Sequence, residues 1–126
     1  MFHIDPLSRQ PVYEQLIEQL EKLVLTDLLP PKSQLPSVRS LSMELSINPN
    51  TIQKAYSELD VRGIIYSVPG IGCFVSQNAK DLLLEHSRSK LKQLQALVAE
   101  LALAAVPEEE VLKCVRKAYT ERGASS

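Results

Sequence analysis

The feature that most constrains this fold is a pair of helix-forming segments separated by only two residues. Ser37 precedes a short apolar pattern, which is typical of a serine N-cap at the start of a helix. A second helix is predicted from Asn48 and Pro49, since asparagine caps helices well and proline fits a first turn. Only Ser46 and Ile47 remain between them. We therefore expect the two helices to cross steeply, as in a helix-turn-helix.

A strand-like pattern follows the second predicted helix. Gly63 is placed to end that helix, because glycine readily adopts the left-handed conformation at a helix C-terminus. Residues 64–68 and 73–75 are rich in β-branched and aromatic side chains, whereas the Pro-Gly-Ile-Gly sequence at 69–72 has the composition of a turn. We therefore expect a β-hairpin, or wing, directly after the helix-turn-helix.

The rest of the N-terminal region is predicted to support these elements. A first helix beginning near Pro11 carries apolar residues at steps of three and four, and its glutamates are interpreted as a solvated face. One apolar face of the second helix in the helix-turn-helix should pack against this first helix and against Leu41 and Leu45. The apolar residues of the first helix are Val12, Leu16, Leu20, Leu23 and Val24. Those of the second helix in the helix-turn-helix are Ile52, Ala55, Tyr56 and Leu59.

The region from Asn78 onward shows helical periodicity with an apolar seam. Leucine and valine recur every seven residues, with further leucines at the complementary positions, as in helices that pair. The partner is either the same seam of a second subunit or the short helix predicted to begin at Pro107. We favour the second subunit, because so short a segment cannot bury itself. Residues 123–126 are expected to fray. The expected dimerisation residues are Leu84, Leu91, Leu94, Val98 and Leu101.

Length and composition exclude several classes of function. A chain of 126 residues has room for one domain and a small appendage, but not for a large ligand-binding enzyme fold. The sequence offers no nucleophile and base pair, and Cys73 and Cys114 lie outside any CxxC or Cys/His cluster. We predict no enzymatic activity, no metal site and no cofactor. No apolar run approaches the roughly 20 residues of a membrane helix, and the N-terminus lacks signal-peptide features, so a cytoplasmic protein without a membrane partner is expected.

The charge balance differs from that of a typical nucleic-acid-binding protein. The formal net charge is −1, and residues 1–76 contain six Lys or Arg against eight Asp or Glu, whereas DNA-binding domains are usually strongly basic. Any DNA surface must therefore arise from local sorting of charge and from helix N-termini, with modest and salt-sensitive affinity. The same observation motivates an alternative function, a winged-helix adaptor that binds a protein partner and not DNA.

Three motifs, in this order, resemble the winged helix-turn-helix domain of the GntR family of bacterial transcription regulators. They are LPSVRxL from Leu35, NPNTIxKAYxELxxxG from Asn48 and GxGxFV from Gly70. The segment from Pro11 to Gln15 also resembles the first helix of that family. The short C-terminal region resembles the YtrA-like subfamily, in which two helices serve mainly for dimerisation.

This resemblance implies a mainly α fold with a small β-hairpin. A winged helix-turn-helix domain is expected in residues 1–77, and a short two-helix dimerisation region in residues 78–126. The implied function is that of a homodimeric repressor of transcription that binds double-stranded DNA at a pseudo-palindromic operator. The subfamily's association with transport operons suggests transporter genes as targets, and the family suggests an unidentified small-molecule effector near the dimer interface.

The resemblance also assigns DNA contacts to both helices of the helix-turn-helix and to the wing. Asn and Gln can pair with adenine, Thr can touch a thymine methyl group and Lys can reach phosphate. The family equivalent of Arg39 contacts DNA, and glycines at the wing tip allow the backbone to approach the minor groove. The alternatives are ordinary surface polar residues, a surface salt bridge for Arg39 and simple turn glycines. The candidate DNA-binding residues are Arg39, Asn48, Asn50, Thr51, Gln53, Lys54, Gly70 and Gly72.

The sequence departs from the family pattern at three positions. Asp27 and Lys32 stand where the family commonly has glycines around the turn that follows the first helix. Cys73 replaces the Thr or similar residue that often precedes Phe-Val in the wing. We predict a packing role for Cys73, with redox sensing as the alternative.

Overall fold

The computed structural model describes the backbone of residues 2–125 and the side chains of residues 2–121. Within that range the chain forms helices α1 to α6 and one antiparallel sheet of two strands, β1 and β2, which confirms the predicted mainly α fold with a small hairpin. In chain order the elements are α1 (Val12–Leu25), α2 (Val38–Leu45), α3 (Pro49–Val61), β1 (Ile65–Val68), β2 (Gly72–Val75), α4 (Ala79–Ser89), α5 (Leu91–Leu103) and α6 (Glu108–Ser125).

Contacts divide the chain into two compact units, Met1–His86 and Ser87–Ser126. The first unit has a hydrophobic core in which α3 packs against both α1 and α2. The predicted apolar face of α3 is confirmed, because Ile52, Ala55, Tyr56 and Leu59 are all buried. Burying an isoleucine or leucine side chain, such as those of Ile52 and Leu59, contributes about 1.5–3 kcal/mol. This face therefore fixes the position of α3 within the unit.

Local capping explains why α2 and α3 lie so close together in sequence. The Oγ of Ser37 accepts a hydrogen bond from the amide of Ser40 at 3.0 Å and opens α2. Ser46 then adopts a left-handed conformation with φ 55° and ends that helix. The side-chain oxygen of Asn48 accepts a hydrogen bond from the amide of Asn50 at 2.8 Å and opens α3. Both predicted N-caps are confirmed, and the turn between the helices is as short as the sequence indicates.

The wing begins directly after α3. Gly63 has φ 79°, and the amide of Ile64 donates to the Leu59 carbonyl while that of Gly63 donates to Asp60, which is a Schellman motif. Strands β1 and β2 pair in register from Ile65 opposite Val75 to Val68 opposite Gly72.

A third segment, residues 32–35, hydrogen-bonds to the other edge of β2. The amides of Lys32 and Leu35 donate to the carbonyls of Val75 and Cys73, and the amide of Val75 donates to the carbonyl of Ser33. Strand β2 therefore has hydrogen-bonded neighbours on both sides. The hairpin is thus connected directly to the segment that leads into α2.

The two positions where the family commonly has glycine both adopt left-handed backbone. Asp27 has φ 63° and closes α1, and its carboxylate pairs with the Lys80 ammonium at 3.0 Å. Lys32 has φ 68° and is the third residue of a turn in which the amide of Ser33 donates to the carbonyl of Pro30. The turns therefore keep the conformation that glycine favours, although a side chain in that region costs about 1–2 kcal/mol.

The helical stretch that begins near Asn78 is divided at Lys90 into α4 and α5. The amide of Lys90 donates to Ser87, three residues back, and the preceding Ser-Arg-Ser sequence is a weak helix former. Helix α5 contains no buried residue, and α6 carries three glutamates in its first turn, where the helix dipole favours them. The predicted fraying of residues 123–126 stays a prediction, since their side chains lie outside the described residues. The predicted division of function at residues 77 and 78 also stays a prediction. In the described part of the chain, no helix is long and apolar enough to cross a membrane.

Candidate nucleic-acid interface

The N-terminal halves of α2 and α3 present most of the predicted DNA-binding side chains. Arg39, the second residue of α2, is exposed, as are Asn48 and Asn50 at the start of α3. Thr51 is half-buried. Because the first amides of a helix lack partners within it, the start of α3 adds partial positive charge to this surface. The arrangement is that of a helix whose first turn is open to a polar ligand.

Gln53 lies one turn further along α3 and is exposed. Its Nε2 donates to the Oγ of Ser57 at 3.1 Å, which orients the amide along the helix. This bond is between two exposed groups, so exchanging it for a bond to a base edge costs little. Gln53 is therefore available for base contact, although the bond to Ser57 has to be exchanged first.

Lys54 has a neighbour that the sequence did not indicate. Its Nζ lies 3.9 Å from the centroid of the Tyr13 ring on α1, which is the geometry of a cation–π interaction. An exposed pair of this kind is worth about 0.5–1 kcal/mol, so the ammonium is held over the ring but can be withdrawn. The predicted phosphate contact would require Lys54 to leave Tyr13 or a phosphate to approach the same place.

The two wing glycines have different surroundings. Gly70 has φ 78° and is exposed, and a Cβ built there would meet no atom within 4 Å. Gly72 has φ 143°, and a Cβ there would lie 2.6 Å from the Nε2 of Gln34. Gly70 therefore leaves open space at the wing tip, whereas Gly72 makes room for a side chain of this same protein.

The face of the wing also carries an aromatic pair. The rings of Tyr66 and Phe74 are stacked, with centroids 5.7 Å apart and planes inclined by 24°. On the opposite face of the hairpin, Cys73 is half-buried beside the core, and its Sγ lies 3.4 Å from the Oγ of Ser67. These contacts agree with a packing role for Cys73.

Tyr56 connects α3 to the segment that precedes α2. Its hydroxyl donates to the carbonyl of Pro36 at 2.7 Å. Burial, with a smaller contribution from Cys73, raises the pKa of the Tyr56 phenol above its ordinary value. The phenol therefore stays neutral and keeps donating over the whole physiological pH range.

Several glutamates of this unit line one groove, although Glu21 among them pairs with the Arg62 guanidinium at 3.1 Å. Four glutamates line a groove of about 230 Å³ between α1 and α3, together with Tyr13 and Ile17. The neighbouring carboxylate of Glu14 is the main reason that the pKa of Tyr13 is raised. The acidic excess of residues 1–76 is therefore partly collected in a groove that contains none of the predicted base-contact residues. The four glutamates are Glu14, Glu18, Glu21 and Glu58.

The predicted dimerisation residues are only partly covered. Leu84 on α4 is 47% exposed, and Leu91 and Leu94 on α5 are 62% and 46% exposed. Val98 and Leu101 are half-buried, because both line grooves shared with Val111 of α6. Packing against the helix that follows, which is the alternative to a second subunit, therefore accounts for the last part of the seam. The first part of the seam is left largely exposed in the described residues.

The chain belongs to the GntR family of bacterial regulatory proteins, because residues 12–75 match the model of that family. It is 40% identical over 118 residues to the HTH-type transcriptional repressor YtrA of Bacillus subtilis (strain 168). This alignment covers 93% of this chain and 91% of that protein. The predicted similarity to a YtrA-like regulator is confirmed.

Solved structures have the same fold. A GntR family transcriptional regulator from Listeria monocytogenes is 30% identical and superposes with a TM-score of 0.72, covering 90% of this chain and 98% of that chain. The structure of AraR(DBD) in complex with operator ORX1 is 30% identical with a TM-score of 0.53, covering 60% of this chain and 93% of that chain. Fold and relatives are those of transcriptional regulators and not of enzymes.

Proposed function

We propose that this regulator is a homodimeric repressor that binds double-stranded DNA at a pseudo-palindromic operator. The observation that carries the proposal is the set of exposed polar side chains Arg39, Asn50 and Gln53 on two helices separated by only three residues, with a wing directly after them. Helix-turn-helix proteins insert the start of the second helix into the major groove. The proposed place of action is the cytoplasm.

Each candidate residue has a distinct proposed role. Asn50 and Gln53 read adenine edges, Thr51 contacts a base or a thymine methyl group, and Arg39 contacts the DNA from α2. Lys54 neutralises a phosphate, and Gly70 allows the wing tip to approach the minor groove. Asn48 and Gly72 support this surface through the cap of α3 and the shape of the wing.

Homodimerisation is proposed through the uncovered side chains of α4 and α5. Helix α5 has 13 residues and no buried side chain, and α6 covers only the last part of its apolar seam, which supports a second subunit as the cover for the rest. Leu91 and Leu94 supply the exposed start of that surface, and Val98 and Leu101 continue it. Two-fold symmetry then requires a pseudo-palindromic operator, and its half-sites lie roughly 34 Å, or one helical turn of DNA, apart if the two α3 helices enter successive major grooves.

Selection of duplexes from a randomised library by the wild-type protein tests DNA recognition directly. We expect enrichment of a pseudo-palindrome, and we expect Asn50→Ala or Gln53→Ala to weaken binding to it by about 1–3 kcal/mol and to relax preference at one base pair. Lys54→Ala should weaken all sequences alike and lower the salt slope by about one unit. Val61→Ala, at the exposed far end of α3, is the matched control and should leave binding unchanged. Equal losses on selected and random DNA for Asn50→Ala and Gln53→Ala would refute base reading.

The adaptor alternative gives a different result in the same assay. The excess of acidic over basic residues in residues 1–76 is the feature that favours it. If wild-type protein enriches no sequence and alanine variants of Arg39, Asn50 and Gln53 lose only binding to a protein, the adaptor function stands.

Transporter genes as targets and a small-molecule effector at the dimer interface rest on the family resemblance. Thermal stabilisation by members of a metabolite panel would identify such an effector.

A further inference from the structure

The tip of the wing is held by a side chain from a distant part of the sequence. The Nε2 of Gln34 donates to the carbonyl of Ile71 at 3.0 Å, across 37 residues of sequence. Ile71 ends the tight turn at the tip, where its own amide donates to the carbonyl of Val68 at 3.0 Å. The Gln34 amide therefore attaches to the part of the hairpin that lies beyond the last strand pair.

The backbone of Gln34 is itself fixed. Gln34 pairs with Phe74 in a β-bridge, and the adjacent amide of Leu35 donates to the carbonyl of Cys73. Three residues after Gln34, Ser37 caps α2. The side chain of Gln34 therefore connects the wing tip to the start of the helix-turn-helix.

Gly72 is the residue that makes this connection possible. Its Cα has no side chain, and a Cβ there would come within 2.6 Å of the Gln34 Nε2, closer than real Cβ atoms approach other atoms. Because Nε2 is the end of a flexible side chain, a methyl group at Gly72 would displace the amide before it displaced the backbone. Gly72 is thus explained by the seating of Gln34, while Gly70 has open space around it.

We propose that Gln34 is a positioning residue for the wing: its side-chain amide fixes the tip around Gly70 and Ile71 before DNA is bound. The inference rests on the proposed DNA-binding function. A turn containing glycine is otherwise mobile, and ordering it on binding weakens affinity. A tip that is already held relative to α2 loses less freedom when it meets the minor groove.

The decisive variant is Gln34→Met, which keeps the length of the side chain and removes the donor without adding charge. In the DNA-free full-length protein, NMR relaxation of the Gly70 and Ile71 amides should show greater mobility than in wild type. Affinity for the duplex selected by wild type should fall about two- to tenfold, the range expected for one hydrogen bond.

A double-mutant cycle with Gly72→Ala separates positioning from direct contact. The backbone strain of Gly72→Ala is the same in both backgrounds and cancels in the cycle. If both residues act through the same amide contact, Gln34→Met should add almost nothing once Gly72→Ala is present. Strict additivity would overturn the inference, because the two residues would then act independently. Reduced affinity with unchanged tip mobility would also overturn it and make Gln34 a direct DNA contact.

Two further results would also overturn it. Unchanged affinity in Gln34→Met would show that the hydrogen bond does not serve binding, even if the tip becomes mobile. Failure of wild-type protein to enrich any duplex would remove the proposed function itself, and this result is recognised before any variant is made.

Discussion

The two compact units of this chain differ in how they bury their apolar side chains. The unit Met1–His86 contains fully buried residues from α1, α2, α3, the wing and α4, including Leu16, Leu41 and Val75. In the unit Ser87–Ser126, α5 has no buried residue, and Leu97 and Leu103 are 55% and 90% exposed. A short chain can therefore hold one unit with a core of its own and a second unit that leaves most of its apolar side chains exposed, and the proposed homodimer would cover part of that second unit.

The largest expected effect tests whether the exposed side chains of α5 hold two subunits together. Replacing both Leu91 and Leu94 by Lys should give folded monomers, because each charge would have to be buried in the proposed dimer interface. Loss of the tether between two DNA-binding units should weaken operator binding by about 10²- to 10⁴-fold. Light scattering and binding to the selected duplex measure both effects. Leu103→Lys, outside the seam and 90% exposed, is the control. A double variant that stays dimeric would place the dimer interface elsewhere.

A somewhat smaller effect compares the interiors of the two units. Ile52 is fully buried in α3, so Ile52→Ala should lower the free energy of unfolding by about 2–5 kcal/mol. Leu97→Ala removes a leucine of α5 that is 55% exposed and should change it by less than about 0.5 kcal/mol. Urea denaturation followed by circular dichroism gives both values. A comparable loss for Leu97→Ala would mean that this side chain is covered in solution.

The smallest effect concerns a turn of the unit Met1–His86. Lys32 holds a left-handed backbone conformation that favours glycine, so Lys32→Gly should stabilise the protein by about 0.5–1 kcal/mol after the entropy of the unfolded chain is counted. Lys32→Ala keeps the strain and is the matched control. Thermal unfolding of the two variants checks the difference, and equal stability would show that the conformation carries no strain.

Local signals made most of the fold predictable. The caps at Ser37 and Asn48 and the helix end at Gly63 each depend on residues within a few positions, and all three are confirmed. The left-handed residues were indicated only indirectly, at Asp27 and Lys32, because the family commonly has glycine there.

The contacts that shape the candidate site were not predictable in the same way. Lys54 meets Tyr13 across two helices, and Gln34 meets Ile71 across 37 residues, so neither pair leaves a periodic or local trace in the sequence. Which polar side chains touch bases also depends on the pose of the DNA. The roles of Asn50 and Gln53 therefore stay predictions.

The hydrogen bond from Tyr56 to Pro36 gives the protein an internal optical reporter of alkaline unfolding. Because the chain has no tryptophan and four tyrosines, phenolate absorbance is not masked by indole. Tyr119 is 76% exposed, whereas burial raises the pKa of the Tyr56 phenol. The neutral Tyr56 phenol therefore contributes to the free energy of unfolding. This contribution is complete below the unfolded pKa of about 10 and is lost as the pH rises toward the folded pKa. The pKa of Tyr13 is also raised, by the Glu14 carboxylate, so the measurement uses Tyr13→Phe. In that variant a late step in phenolate absorbance should coincide with the separation of α3 from the segment that opens α2.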